Sequence, residues 1–335
     1  MDWLTLHDAL YSFLSILLEG AFFIFVGTLL SGFIDAYMPS HLLDKYLPKN
    51  PFVAILAGGA LGAIFPVCEC AIVPVIRRLI KKGLPVSVAV TYMLAAPIVN
   101  PVTILSTVAA FSERGGQGLF IAGSRVGIAY AITVLVGLLV LKAPLSSILQ
   151  SWVIPKTKKK EGDEESATVE TSEEATREPQ DQTEGKGESG EEEAVSGKLV
   201  HALRVAQRDF TDVAMYFVFG VALTALFNVW TDRDVIEPVA ENTWLAAPAM
   251  MILAFVLSLC STSDAFVAAA IDKFSYGAKM AFMIYGPMMD LKLIFLYSTV
   301  LRPKFVLWLG LGLFVLVWIA CGLWGSLPMA NPASS

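Results

Sequence analysis

Residues 65–107 read FPVCECAIVPVIRRLIKKGLPVSVAVTYMLAAPIVNPVTILST. The stretch is apolar enough for a bilayer, yet it holds groups that a plain membrane helix avoids. Pro66, Cys68, Glu69, Cys70 and Pro74 crowd its beginning, and Pro97, Asn100 and Pro101 stand together further on. Proline removes a backbone donor and clashes with the preceding turn, so each cluster predicts a broken or kinked helix. Broken backbone is tolerated at membrane depth only where it lines a cavity or is buried in protein. Two broken segments in succession therefore point to a substrate site inside the membrane.

Outward from this stretch the chain has the composition of a multi-pass membrane protein. Of 335 residues 56% are hydrophobic and 16% charged, against about 25% charged in an ordinary soluble protein. The net charge of −6 is unevenly placed. Residues 161–197 hold 14 of the 30 acidic residues and 2 of the 24 basic ones, so the rest of the chain is mildly basic. The polar segment 156–197, almost without aromatics, is expected to be a disordered, dispensable tether. The first ten residues lack Lys and Arg, a poor secretory signal, so the first apolar stretch is expected to remain as a helix.

Apolar stretches at 11–38, 51–82, 84–111, 119–141, 205–230, 244–274, 277–301 and 305–324 predict about eight transmembrane helices. Segment 51–82 is read as one crossing broken at 66–70, with a re-entrant hairpin as the alternative. The fold class is an all-α polytopic membrane protein, arranged as two four-helix pseudo-repeats with helices broken at the midplane. Residues 1–150 form the first membrane repeat, 151–200 the acidic cytoplasmic linker and 201–335 the second repeat. Glu19, Gly27 and Leu30 match Asp212, Gly220 and Leu223 at an offset of 193, while Cys70, Met93, Pro97 and Asn100 match Cys260, Met283, Pro287 and Asp290 at 190. Four crossings per half would make the repeats parallel. Basic clusters at Arg77–Lys82, Lys156–Lys160 and Lys198–Arg208 place the linker and both termini in the cytoplasm, with Arg302 and Lys304 as a misfit.

The candidate substrate-binding residues are Cys68, Cys70, Cys260, Asn100 and Asp290. In extended backbone Cys68 and Cys70 face the same way, and the helix starting after them favours thiolate at its N-terminus. Thiolates take soft metals or metalloids, so these three cysteines are also the candidate ligands of a soft metal or metalloid carried as substrate. A lone buried cysteine would be a packing residue; a Cys-x-Cys inside a break is less easily explained so. Ser261 to Asp264 look like a helix cap, but one needed at membrane depth.

Glu19, Glu69, Asp212, Asp264, Asp290 and Lys292 are ionisable groups in apolar surroundings. Each costs roughly 2.5–3.5 kcal/mol at a helix centre, so they face protein or water. They serve as buried pairs or as proton-coupling groups. Pro97, Pro101 and Pro287 mark the helix breaks. Arg125 reads as a snorkelling side chain.

The strings FPVCECAIVPV, MLAAPIVNPVTILST, CSTSDAF and GPMMDLK resemble the predicted-permease family that includes YraQ-like proteins and the ArsP-type organoarsenical efflux permeases. The resemblance spans both halves and excludes the linker. It implies an eight-helix permease, not an enzyme, in the cell membrane, and Cys68, Cys70 and Cys260 as thiols that handle a trivalent organoarsenical. The expected function is efflux of a small thiophilic solute with proton coupling, without a cofactor or nucleic acid. A homo-oligomer or a membrane partner subunit fits the same reading. No phosphate-binding Gly-Lys-Ser/Thr loop occurs, so the chain does not hydrolyse ATP by itself. Two alternatives stand beside it: a membrane thiol oxidoreductase, and a non-transporting subunit of a two-component complex.

Overall fold

The computed structural model describes residues 3–37, 48–65, 67–112, 117–144, 148–150, 190–230, 243–271 and 273–326. Regular structure among these residues is helical, apart from one short bridge between Leu149 and Leu301. The first half comprises α1 (Trp3–Tyr37), α2 (Pro51–Ile64), α3 (Ile72–Lys81), α4 (Val86–Ala95), α5 (Pro101–Ser112) and α6 (Gly118–Leu141). The second comprises α7 (Gly190–Trp230), α8 (Thr243–Leu257), α9 (Asp264–Ala270), α10 (Tyr276–Met288), α11 (Leu291–Tyr297) and α12 (Pro303–Gly325). The all-α polytopic class holds. Five stretches are long and apolar enough to span alone, and α4–α5 adds a broken sixth.

The packing fixes the direction of each short helix. Together α4 and α5 run antiparallel to α6, because Gly137 packs on Thr91 while Arg125 reaches Thr107. Helix α2 runs alongside α4 in the same direction, with Gly58 against Val88 and Gly62 against Ala96. A Cβ on Gly62 would stand 2.8 Å from the Ala96 Cα, so the two backbones meet only because this residue is glycine. Helix α2 thus enters from the face where α4 starts and stops level with the α4–α5 break. Helix α3 returns to the same face and turns through Gly83, at φ +105°, directly into α4. The Gly83 and Leu84 amides donate to the carbonyls of Ile80 (3.0 Å) and Leu79 (2.9 Å), closing the helix as a left-handed glycine does. Segment 51–82 is therefore a re-entrant hairpin, not the broken crossing expected.

The second half is entered from the opposite face. Tyr276, at the start of α10, stacks obliquely on Phe111 at the end of α5, with ring centroids 6.5 Å apart. The end of α8 meets the end of α10 and the start of α11, with Ala254 against Gly286 and the Ser258 carbonyl on Lys292, so the α8–α9 hairpin enters from the face where α5 ends. Helix α12 runs antiparallel to α10, with Gly277 against Cys321 and Gly325. Among the described residues six helical passes join the two faces (α1, α4–α5, α6, α7, α10–α11 and α12) beside two hairpins, where about eight crossings were expected. The second half also runs opposite to the first, so the parallel relation expected from eight crossings is not the geometry found.

Two faces result. The linker face carries the ends of α1, α3 and α6, where the Arg302 amide donates to the Ile148 carbonyl (2.8 Å) and ties the end of the first half to the α11–α12 turn. The opposite, terminal face carries the start of α1 and the end of α12, whereas the termini were expected on the linker's side. Arg77, Arg78, Lys81, Lys82, Arg302 and Lys304 all lie on the linker face, which removes the misfit of the last two. The expected disordered tether lies largely outside the described residues, but its last part, from Gly190, already belongs to α7. In a cysteine-free background, single cysteines at Lys82 and Lys273 should label from opposite sides of the membrane. Labelling of both from one side would restore the eight-crossing count.

Candidate functional site

Four helix breaks meet at the centre of the helix bundle, and local chemistry accounts for each. Asn100 Oδ1 accepts from the Val102 amide (2.9 Å) and Asp290 Oδ1 from the Leu293 amide (2.7 Å), so both cap the second part of a broken crossing. Pro101 takes the first turn of α5, and the Thr103 hydroxyl satisfies the Pro97 carbonyl at 2.9 Å. Pro287 lies one residue before the end of α10. At the hairpins, the carbonyls of Cys68 and Cys260 each accept the first amides of α3 and α9, at 3.1–3.2 Å and 3.0–3.1 Å. By this bonding Cys260 corresponds to Cys68, not to Cys70 as the sequence offset suggests. Pro66 lies outside the described residues.

Two adjoining cavities lie between this centre and the α1–α7 pair. One is walled by Cys68, Glu69, Cys70, Ser258, Cys260, Ser263 and Lys292, with Glu19, Phe23 and Phe217 opposite. The other takes in Asn100, Val102, Ser261 and Thr262, with Val26, Gly27 and Leu30 of α1 opposite. Cys68 and Cys260 face both cavities. Three of the four cysteines thus share one wall, and all four are free thiols. Cys321 is buried in α12 beside Gly277, away from the cavities. Among the described residues no three His, Cys, Asp or Glu side chains stand close enough to hold a metal ion.

Behind the thiols lies a buried charge cluster. Lys292 Nζ donates to the Ser258 carbonyl at 2.8 Å and stands 3.6 Å from Glu69 Oε1 and 3.5 Å from Asp290 Oδ2. Glu69 and Asp290 are 1% and 0% exposed, and Glu69 Oε2 and Asp290 Oδ2 have no hydrogen-bond partner among the described residues. A buried cation between two carboxylates offsets part of the desolvation cost and leaves acceptor capacity unused. Ser258 takes φ 48°, a left-handed conformation that costs a non-glycine residue about 1–2 kcal/mol. That conformation aims its carbonyl at Lys292.

The other expected residues separate from this cluster. Glu19 is exposed on α1 and faces the first cavity. Asp212 is half exposed on the linker-face part of α7, 3.3 Å from Arg77. Asp264 is buried beside Arg125, which does not snorkel. The Arg125 guanidinium is 1% exposed and donates to Asp264 (2.7 Å), Thr107 (2.8 Å), the Met283 carbonyl (2.9 Å) and the Ser261 carbonyl (3.3 Å). Sequence reasoning also missed Asp209, 1% exposed, which accepts two bonds from Arg78 at 2.9 and 3.0 Å. A lone arginine inside the apolar stretch 119–141 was the signal for the first. For Asp209 the only signal was an acid three residues before Asp212.

Broken helices around central cavities walled by thiols and a buried charge cluster fit a multi-pass membrane protein of the solute-translocating class. The chain matches ArsP_1, a family of predicted permeases, over residues 5–325 and belongs to it. It is similar to the UPF0718 protein YcgR of Bacillus subtilis, 32% identical over 295 residues that cover 88% of this chain and 89% of that protein. It is also similar to a Streptococcus mutans protein named a putative two-component membrane permease complex subunit, 32% identical over 299 residues and covering 88% and 87%. A shorter likeness, 24% over 112 residues, links it to the UPF0718 protein MJ0584 of Methanocaldococcus jannaschii, over 33% of this chain and 29% of that protein. No solved structure matches.

Proposed function

We propose that this permease exports a small thiophilic solute, such as a trivalent organoarsenical or another soft metalloid species, through the cavities beside Cys68, Cys70 and Cys260. One observation carries the reading: three of the four cysteines gather on one cavity wall at the two hairpin breaks. Soft thiolates suit a soft, electron-accepting cargo. The thiols do not stand as a ready chelate, so binding draws them together around the cargo. Glu69, whose Oε2 has no hydrogen-bond partner among the described residues, and Asp290, whose Oδ2 is held only by the ion pair with Lys292, are the groups that carry a counter-moving proton. The basic linker face is the cytoplasmic side of the cell membrane, which puts both termini outside. Asn100 acts as a neutral polar contact in the second cavity.

Purified protein in liposomes, tested against trivalent arsenicals, antimonials, mercurials and divalent metals, should move the trivalent arsenicals and give no flux of the hard divalent ions. Flux restricted to hard ions would overturn the thiol reading. The Streptococcus relative's name favours one further reading, a membrane subunit that transports only with a partner. Flux by the purified chain alone excludes it, whereas flux restored only by a second membrane protein supports it.

A further inference from the structure

We propose that the two halves are inverted repeats that exchange conformations, and that Arg77 and Arg78 of α3 with Asp209 of α7 form the gate that shuts the linker face. This rests on the permease reading but not on the cargo. Counterparts across the halves are α1 and α7, α3 and α9, and α5 and α11, each at the same place in a helix, hairpin, broken pair, helix order.

Their packing is not equivalent. Helix α1 packs on α3, and α7 packs on α11, so both press on the linker-face half of the centre. Helix α1 barely touches α5, and α7 barely touches α9, which are the corresponding elements of the terminal-face half. Two glycines carry the close contacts. A Cβ on Gly27 would stand 2.6 Å from the Ala71 carbonyl oxygen, and one on Gly220 would stand 3.0 Å from the Lys292 Cα. Val102 and Lys292 follow the matched caps Asn100 and Asp290 by two residues. Exchanging the halves therefore turns the Gly220–Lys292 contact into Gly27 against Val102. In this structure Gly27 and Val102 instead line the second cavity, and Val102 is 54% exposed. The structure is thus the state closed on the linker face, and its partner state closes the terminal face.

Charge is what biases the pair of states. Asp209 accepts from Arg78 and from the Ser31 hydroxyl (3.1 Å), and Arg77 stands 3.6 Å away. Arg78 also reaches Asp35 of α1 at 3.7 Å. These contacts staple α3 to both α1 and α7. The counterpart segment of α9, Phe266 to Ala270, is uncharged, so the opposite closure has no such staple. A ligand or a proton shifts the balance only through unequal affinity for the two states.

The test labels native Cys68 and Cys260 with a membrane-impermeant maleimide in oriented vesicles of the full chain, read by mass spectrometry. The wild type should label from the terminal face and slowly from the linker face. Asp209→Asn should speed labelling from the linker face about tenfold, the order expected for losing a charge-assisted bond, and the swap Arg78→Asp with Asp209→Arg should slow it again. Ser31→Ala, which removes the hydroxyl bond to Asp209 and leaves the ion pairs in place, should shift labelling the same way if Asp209→Asn fails to fold. Unchanged linker-face labelling in the folded variants overturns the gate. An equal rise from both faces means loosened packing and overturns it as well. Flux is not the readout, so failure to move arsenicals leaves this result standing.

Discussion

Proteoliposomes carrying Cys68→Ser, Cys70→Ser or Cys260→Ser protein should each lose tenfold or more of their transport of a trivalent arsenical. Serine keeps the volume but offers a harder and far less acidic ligand, so each variant removes one soft contact from a three-thiol wall. A tenfold loss corresponds to about 1.4 kcal/mol of cargo binding, a modest share of what a metalloid–sulfur contact supplies. Cys321→Ser should stay within about twofold of the wild type, a size in keeping with a substitution that touches packing but not the cavity. Cys321 separates thiol chemistry from general sensitivity to serine in an apolar core. Normal transport by all three cavity variants would leave the broken helices as the site but take the thiols out of it. Asn100 and Asp290 would then be the groups to test with a harder or organic solute.

Arg125→Met should lower thermal stability in detergent by the largest amount of any single change considered for this chain. The substitution leaves the 2%-exposed Asp264 carboxylate without its cation, and breaking a buried pair by removing one partner costs roughly 3–5 kcal/mol. The loss is not electrostatic alone. One guanidinium ties α6 to α5 through Thr107, to the second hairpin through Ser261 and Asp264, and to α10 through Met283. Arg125→Lys should recover only part of this, because an ammonium cannot reach all of those acceptors from one position. The double variant Arg125→Met with Asp264→Leu should melt closer to wild type than either single change, since no unpaired charge is left buried. A wild-type melting temperature for Arg125→Met would show that Asp264 is neutral in the fold and that the four-way junction contributes little.

How far the chain could be read without its structure follows from the range of each interaction. The breaks at 66–70 and 97–101, the caps at Asn100 and Asp290 and the grouping of thiols near the breaks are local, written in proline and short polar side chains. The sense of the 51–82 segment is not local. Fifteen apolar residues before a break look the same whether the chain goes on or turns back. What decides is that Gly58 and Gly62 find Val88 and Ala96, contacts made about thirty residues away. The stranded Arg302 and Lys304 were the one sequence signal that the crossing count was wrong. The partners of Arg125 and Arg78 lie 139 and 131 residues away in the other half, so periodicity and spacing could show only that the charges needed partners.

The hairpins also set an order for biosynthesis. Helices α2 and α3 have 14 and 10 residues, about 21 and 15 Å long, and their junction leaves backbone groups that lipid cannot satisfy. The segment therefore cannot settle in the bilayer as it leaves the ribosome; it must wait at the surface until α4 supplies the surface that Gly58 and Gly62 fit. The second hairpin docks from the opposite face, so with the linker face cytoplasmic, as proposed, it would first have to be translocated with Lys273. Nascent chains truncated before residue 86 should thus leave the first hairpin open to protease, and synthesis through α4 should begin to protect it. Errors in assembly would then concentrate at these late-docking loops, leaving the long spanning helices correctly inserted.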